Sequence, residues 1–153
     1  KENEIKLILA GDGPLRKDII DYINDNDLKE SIEYIGKVKG KKKEEFFKSL
    51  DVFVLPSISL PNDQDGIPVV LMEAISYGLP LISTNVSGIP EICENNCNGY
   101  IVSEKNVNAL ITSINKVKKD QKLRNDFRSK SLELSLQYDI EINSRNKVQM
   151  MGW

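Results

Sequence analysis

Asp65-Gly66-Ile67-Pro68-Val69-Val70-Leu71-Met72-Glu73-Ala74 reads as a turn opening into an apolar helix, with a carboxylate at each end. Pro68 suits the first helical position, where its missing N–H is no loss and its fixed φ matches the entry. The next turns (Val69, Val70, Leu71, Met72, Ala74, Ile75, Tyr77) are apolar nearly all round, the pattern of a buried helix. Gly78, just past them, fits a left-handed C-terminal cap. Glu73 stands inside this run, where a carboxylate is costly unless something hydrogen-bonds it. Taken singly, either acid has a plain explanation: it complements the helix dipole or pairs with a structural Arg or Lys. Taken together, with seven residues between them, they flank a helix start. Amides there suit phosphate and carboxylates suit hydroxyls, so the segment fits a phosphate-bearing, hydroxyl-rich ligand such as a nucleotide sugar.

Outward from this segment, apolar runs of strand length alternate with helix-length stretches. Strands are expected at 5–10, 32–35, 52–55, 81–83 and 100–102, and helices at 15–23, 44–49, 107–117 and 123–136. That order predicts an α/β fold, a Rossmann-like doubly wound parallel sheet with helices on both faces. Ligands of open α/β sheets bind beyond the carboxyl ends of the strands, and the loops 11–14, 36–40, 56–68 and 84–90 each follow a strand. The Gly11-Asp12-Gly13-Pro14 turn lacks the third glycine of a dinucleotide fingerprint, since Arg16 stands there. A strand-to-helix turn explains it as well as ligand contact does. Ser57 reads as a turn residue and Glu91 as a helix-start acid.

At 153 residues the chain is large enough to bury a core, and its length fits one domain. A net charge of −2 argues against nucleic acid as a partner. The lysines at 37, 39, 41, 42 and 43 read as a solvated loop and helix start. No apolar run is of membrane-spanning length, and no secretory signal opens the sequence. The first residue is Lys rather than Met, so a piece of a longer protein is expected. Cys93 and Cys97 are too few for a disulfide scaffold, and without any His they make no zinc site. They read as reduced thiols of a cytoplasmic protein, and the abundance of Lys, Asn and Ile suggests a bacterium with an AT-rich genome.

The acid-x7-acid segment resembles that of retaining glycosyltransferases of family 4, built on the two-domain GT-B fold. It is closest to the subgroup reading (Glu/Asp)-Gly-(Ile/Phe)-Pro-x-x-Leu-(Leu/Met)-Glu-Ala, met in bacterial surface-polysaccharide enzymes. The resemblance continues through Gly78-Leu79-Pro80-Leu81-Ile82-Ser83-Thr84 and Ser87-Gly88-Ile89-Pro90-Glu91. Upstream it takes in Leu9-Ala10-Gly11-Asp12-Gly13-Pro14-Leu15 and Tyr34-Ile35-Gly36-Lys37-Val38. It implies a donor-binding domain over 1–137 and a terminal helix over 138–153 that crosses back to an amino-terminal domain outside this chain.

The resemblance also implies roles. Glu73 holds the ribose hydroxyls, with Val69 supplying the next amide after Pro68. Asp65 holds the donor sugar, with amides of Gly66 and Ile67 facing sugar and diphosphate. Gly13, Lys37 and Val38 lie by the nucleotide. Relatives usually carry Glu at the place of Asp65, whose shorter reach leaves Asp63 as a fallback. The cationic pair that neutralises the leaving diphosphate, and the acceptor site, precede Lys1 in this pattern. No cofactor or metal is expected, because the chain has no His and Asn62-Asp63-Gln64-Asp65 only superficially resembles a metal-binding Asp-x-Asp.

The parent is therefore expected to be a hexosyltransferase that moves sugar from a nucleoside diphosphate to a polysaccharide or lipid-linked acceptor. The domain alone is expected to be inactive, and any membrane association to come through the parent, at the inner face. Two rivals stand beside this reading. A nucleotide-sugar 2-epimerase of the same fold would want His or acid residues for proton abstraction. A flavodoxin-like binding module would use a similar strand order without chemistry.

Overall fold

The computed structural model describes residues 5–59 and 66–138. Asp63, Asp65 and all but the first residue of the expected crossing helix lie outside the described residues. The chain divides into two compact units, Lys1–Phe46 and Phe47–Trp153.

In the first unit, β1 (Leu7–Ala10) pairs in parallel with β2 (Ile32–Gly36), and α1 (Arg16–Asp25) makes the crossover that parallel pairing requires. The register runs Leu7 to Ile32 and Leu9 to Tyr34, then shifts so that Ala10 faces Gly36. β1 was expected to be covered on both faces, yet Leu7 and Ala10 are exposed. A strand's apolar residues say that it can be buried; its neighbours decide whether it is. The next helix, α2 (Lys41–Lys48), begins three residues before the expected 44. Gly40 at φ +53 turns the chain into it, and its carbonyl accepts from the amides of Lys43 and Glu44.

The second unit holds β3 (Phe53–Leu55), α3 (Val69–Ser76), β4 (Leu81–Thr84), β5 (Gly99–Val102), α4 (Val107–Lys119) and α5 (Gln121–Ser135). Its strands are all parallel, in the order β3-β4-β5, so among the described residues the ladders form two sheets rather than one continuous one. Val54, Ile82 and Tyr100 lie abreast on one face, where Leu110, Ile114 and Val117 of α4 and Leu123 and Phe127 of α5 cover them. Phe127 meets the Tyr100 ring edge-on at 5.5 Å. Pleat alternation turns Phe53 to the opposite face. There it meets Phe47 at 5.7 Å, and Phe47 stacks on Tyr77 at 5.2 Å. Helical elements thus cover both faces, and the α/β class with parallel strands holds.

The ends of these helices follow their sequence. Asn106 caps α4 through the Ala109 amide, and Asp120 caps α5 through the Leu123 amide. α3 ends as its glycine predicts. Gly78 sits at φ +67, its N–H donates to the Ile75 carbonyl, and the Leu79 N–H donates to that of Ala74. This paired arrangement satisfies two carbonyls the last turn would leave open. α5 packs on that end of α3: Leu132 lies over Gly78, and the buried Ser131 hydroxyl donates to the Leu79 carbonyl at 2.8 Å.

Candidate functional site

The candidate residues fall into two groups, one in each unit. In the first unit they sit beyond the carboxyl ends of β1 and β2. The Gly11 amide donates to the Gly36 carbonyl at 2.9 Å, and the Tyr34 hydroxyl donates to the Gly11 carbonyl at 2.7 Å. These bonds bring the Gly13 turn and the Lys37–Val38 loop together, as the topology predicts. Gly11 (φ +148) and Gly36 (φ +67) adopt backbone open to glycine, whereas Gly13 has no such φ. The Gly13 amide turns back onto the Asp12 carboxylate at 3.1 Å, so this amide already has an acceptor. The Arg16 guanidinium, where a fingerprint would want glycine, lies 6.0 Å over the Tyr34 ring. Lys37 is exposed and Val38 half-buried.

In the second unit the structure corrects two details of the key helix. Pro68 is the N-cap (φ −59, ψ 122), and Val69 is the first helical residue. The helix is not buried all round. Leu71, Ala74 and Ile75 are buried, but Val69 is 67% exposed and Met72 and Glu73 are half-buried. A two-turn helix against a sheet has one inward side, and apolar composition on the others cannot supply neighbours for them. Glu73 is therefore not a fully buried carboxylate. Its position carries the weight instead: it stands one turn after Val69 on the same accessible stripe.

The start of α3 has no side-chain cap, and neither does that of α1. The entries of both carry candidate residues, whereas α4 and α5 are capped by Asn106 and Asp120. An uncapped start can receive an anion at its leading amides; in α3 the third of them, that of Leu71, already donates to the Pro68 carbonyl at 2.9 Å.

The loops around α3 are tied to the sheet. The Ser83 hydroxyl donates to the Leu55 carbonyl at 2.6 Å, and that of Thr84 to the Ser57 carbonyl at 2.7 Å. The Ser59 amide donates to the Glu104 carboxylate at 2.7 Å. Ser57 thus belongs to the turn, as its sequence suggests, and Glu91 lies in a single 3-10 turn, Ile89–Glu91. Thr84 closes the Gly78–Thr84 motif as the last residue of β4, whereas Glu104 belongs to no motif and has as its only sequence signal its position just after a strand. Gly88 rests against the Gly66–Ile67 peptide, so a Cβ there would come 2.7 Å from the Ile67 nitrogen.

A family model for glycosyl transferases group 1 matches residues 1–133. The amylovoran biosynthesis glycosyltransferase AmsK of Erwinia amylovora is 36% identical over 103 residues, 67% of this chain and 25% of that protein. The UDP-Gal:alpha-D-GlcNAc-diphosphoundecaprenol alpha-1,3-galactosyltransferase of Escherichia coli is 30% identical over 118 residues, 76% of this chain and 29% of that protein. Among solved structures, Anabaena Alr3699/HepE in complex with UDP has a TM-score of 0.80 at 18% identity, covering 97% of this chain and 41% of that one. The pneumococcal O-GlcNAc transferase GtfA, in complex with UDP and GlcNAc, has a TM-score of 0.78 at 22% identity, over 94% of this chain and 28% of that one. These likenesses establish the fold as that of GT-B enzymes. The chain spans well under half the length of the relatives it matches.

Proposed function

The chain belongs to the glycosyl transferases group 1, and on that premise we propose that it is the donor-binding domain of a retaining sugar transferase. The full enzyme moves a sugar from a nucleoside diphosphate to a polysaccharide or lipid-linked acceptor. One observation carries this reading: the uncapped start of α3, with Gly66 and Ile67 before it and Val69 and Glu73 on one accessible stripe. Glu73 takes the ribose hydroxyls; the Gly66, Ile67 and Val69 amides take diphosphate and sugar; Asp65 takes sugar hydroxyls.

The names of relatives support the substrate class. One relative acts on UDP-Gal and a diphosphoundecaprenol-linked sugar, and another serves amylovoran biosynthesis. The chain offers no evident covalent nucleophile, so leaving-group stabilisation by amides, a helix start and protein cations dominates the chemistry. No metal is needed for that arrangement. An epimerase would want His or acid residues for proton abstraction; the chain has no His, and in this reading the acids Asp65 and Glu73 are engaged by sugar and ribose hydroxyls.

The enzyme works in the cytoplasm, reaching a membrane only through its full-length form. No helix among the described residues is long and apolar enough to cross a membrane. Isothermal titration of the full-length enzyme with UDP-glucose, GDP-mannose and ADP-glucose tests the reading. Saturable binding of one donor class is expected, and binding of none overturns it.

A further inference from the structure

The Ser87–Pro90 loop contains a glycine whose backbone does not call for one. Gly88 has φ −78 and ψ 5, a conformation open to most residues, whereas its neighbour Ser87 takes the left-handed φ of +52 without being glycine. Conformational freedom therefore does not explain Gly88. Space does. A Cβ on it would lie 2.7 Å from the Ile67 nitrogen, 2.8 Å from the Gly66 carbonyl carbon and 3.1 Å from Ile67 Cγ1. Two of these three are backbone atoms of a single peptide, which cannot swing aside as a side-chain tip can.

The loop under Gly88 is itself held. Ile89 is buried, its amide donates to the Val86 carbonyl at 3.1 Å, and the Glu91 amide donates to the Gly88 carbonyl at 3.1 Å. The Cys93 amide closes the turn on the Ile89 carbonyl at 3.0 Å. Gly66, by contrast, would meet nothing with a Cβ of its own, so the crowding lies on the Gly88 side of the peptide alone.

We propose that Gly88 is a positioning residue for the donor: its bare Cα is the floor on which the Gly66–Ile67 peptide rests. It sets where that peptide's amide meets the diphosphate and sugar. The inference builds on the donor reading of Gly66 and Ile67 given above. Any side chain at 88 must lift the peptide by a few tenths of an ångström, enough to spoil a hydrogen bond whose useful range is about 0.5 Å wide. Glu73, one turn into α3, is not among the atoms that a Cβ at 88 would meet most closely. The substitution should therefore divide the ligand: the sugar and diphosphate end suffers and the nucleoside end does not.

The experiment compares Gly88→Ala with the full-length wild type, titrating the three nucleotide sugars named above against UMP, GMP and AMP. The expected result is a loss of ten-fold or more in affinity for the nucleotide sugar that wild type binds. Affinity for the matching monophosphate should stay within about two-fold. Equal losses on both, or no loss on either, overturn the proposal. If Gly88→Ala does not fold, Ile89→Val removes one methylene from the anchor below the loop and adds nothing. It should give a smaller loss, about three-fold, with the same selectivity, and a loss without selectivity again overturns the idea. Wild type that binds no nucleotide sugar overturns the donor reading itself. In that event the Ile67 amide signal of ligand-free protein still decides the packing claim: it should shift in Gly88→Ala, and an unmoved signal refutes the floor.

Discussion

Gly99 and Leu81 face each other across the β4–β5 ladder so closely that a Cβ on Gly99 would overlap the Leu81 carbonyl oxygen. The Leu81 amide donates to the neighbouring Asn98 carbonyl at 3.0 Å, so the two strands are locked at this point from both sides. Gly99→Ala should cost roughly 3 kcal/mol, at the upper end of overpacking penalties, because the obstacle is backbone in a sheet. Urea denaturation at constant slope measures it. A midpoint within error of wild type would mean the strands can separate locally at no cost.

Cys93 is fully buried among β4 and β5, with its sulfur 3.7 Å from the Tyr100 carbonyl oxygen. Burial pushes its thiol up to about 12. A raised acid pKa means the folded state keeps a proton that the unfolded chain releases above its ordinary value near 9. Stability from this group is therefore whole below about pH 9 and falls by about 1.4 kcal/mol per pH unit from there towards 12. Wild type should lose roughly 1 kcal/mol more than Cys93→Ala between pH 8 and pH 10 in urea melts. Parallel pH profiles for the two proteins would refute this.

Glu73→Gln in the full-length enzyme should weaken nucleotide binding by roughly 1–3 kcal/mol, the scale of a charge-assisted hydrogen bond. Because Glu73 is half-buried, the fold should tolerate the change. Calorimetric titration with UDP, GDP and ADP is the measurement. Unchanged affinity for the one that binds removes the ribose role.

Turnover by the full-length enzyme should survive exhaustive EDTA treatment, since amides and protein cations are assigned the leaving diphosphate. Activity that disappears and returns with Mg²⁺ or Mn²⁺ would place the chemistry in a metal-assisted class.

The sequence by itself determined what depends on near neighbours along the chain. Alternating strand and helix lengths specify the α/β class, because each element's period is written in its own residues. Gly78 announced the end of α3, since only a left-handed residue lets Gly78 and Leu79 donate back to Ile75 and Ala74. The entry at Pro68 was legible to within one residue for the same reason. What only the tertiary structure decided depends on who stands next to whom. Two ladders among the described residues, an exposed Leu7 and a half-buried Glu73 all follow from neighbours that no local pattern encodes. The glycines show the division most sharply. Gly36 and Gly78 are needed for their φ, and Gly88 and Gly99 for the room they leave to a peptide and a carbonyl. Both kinds are the same letter in the sequence, because a torsion angle belongs to one residue and a close approach belongs to two.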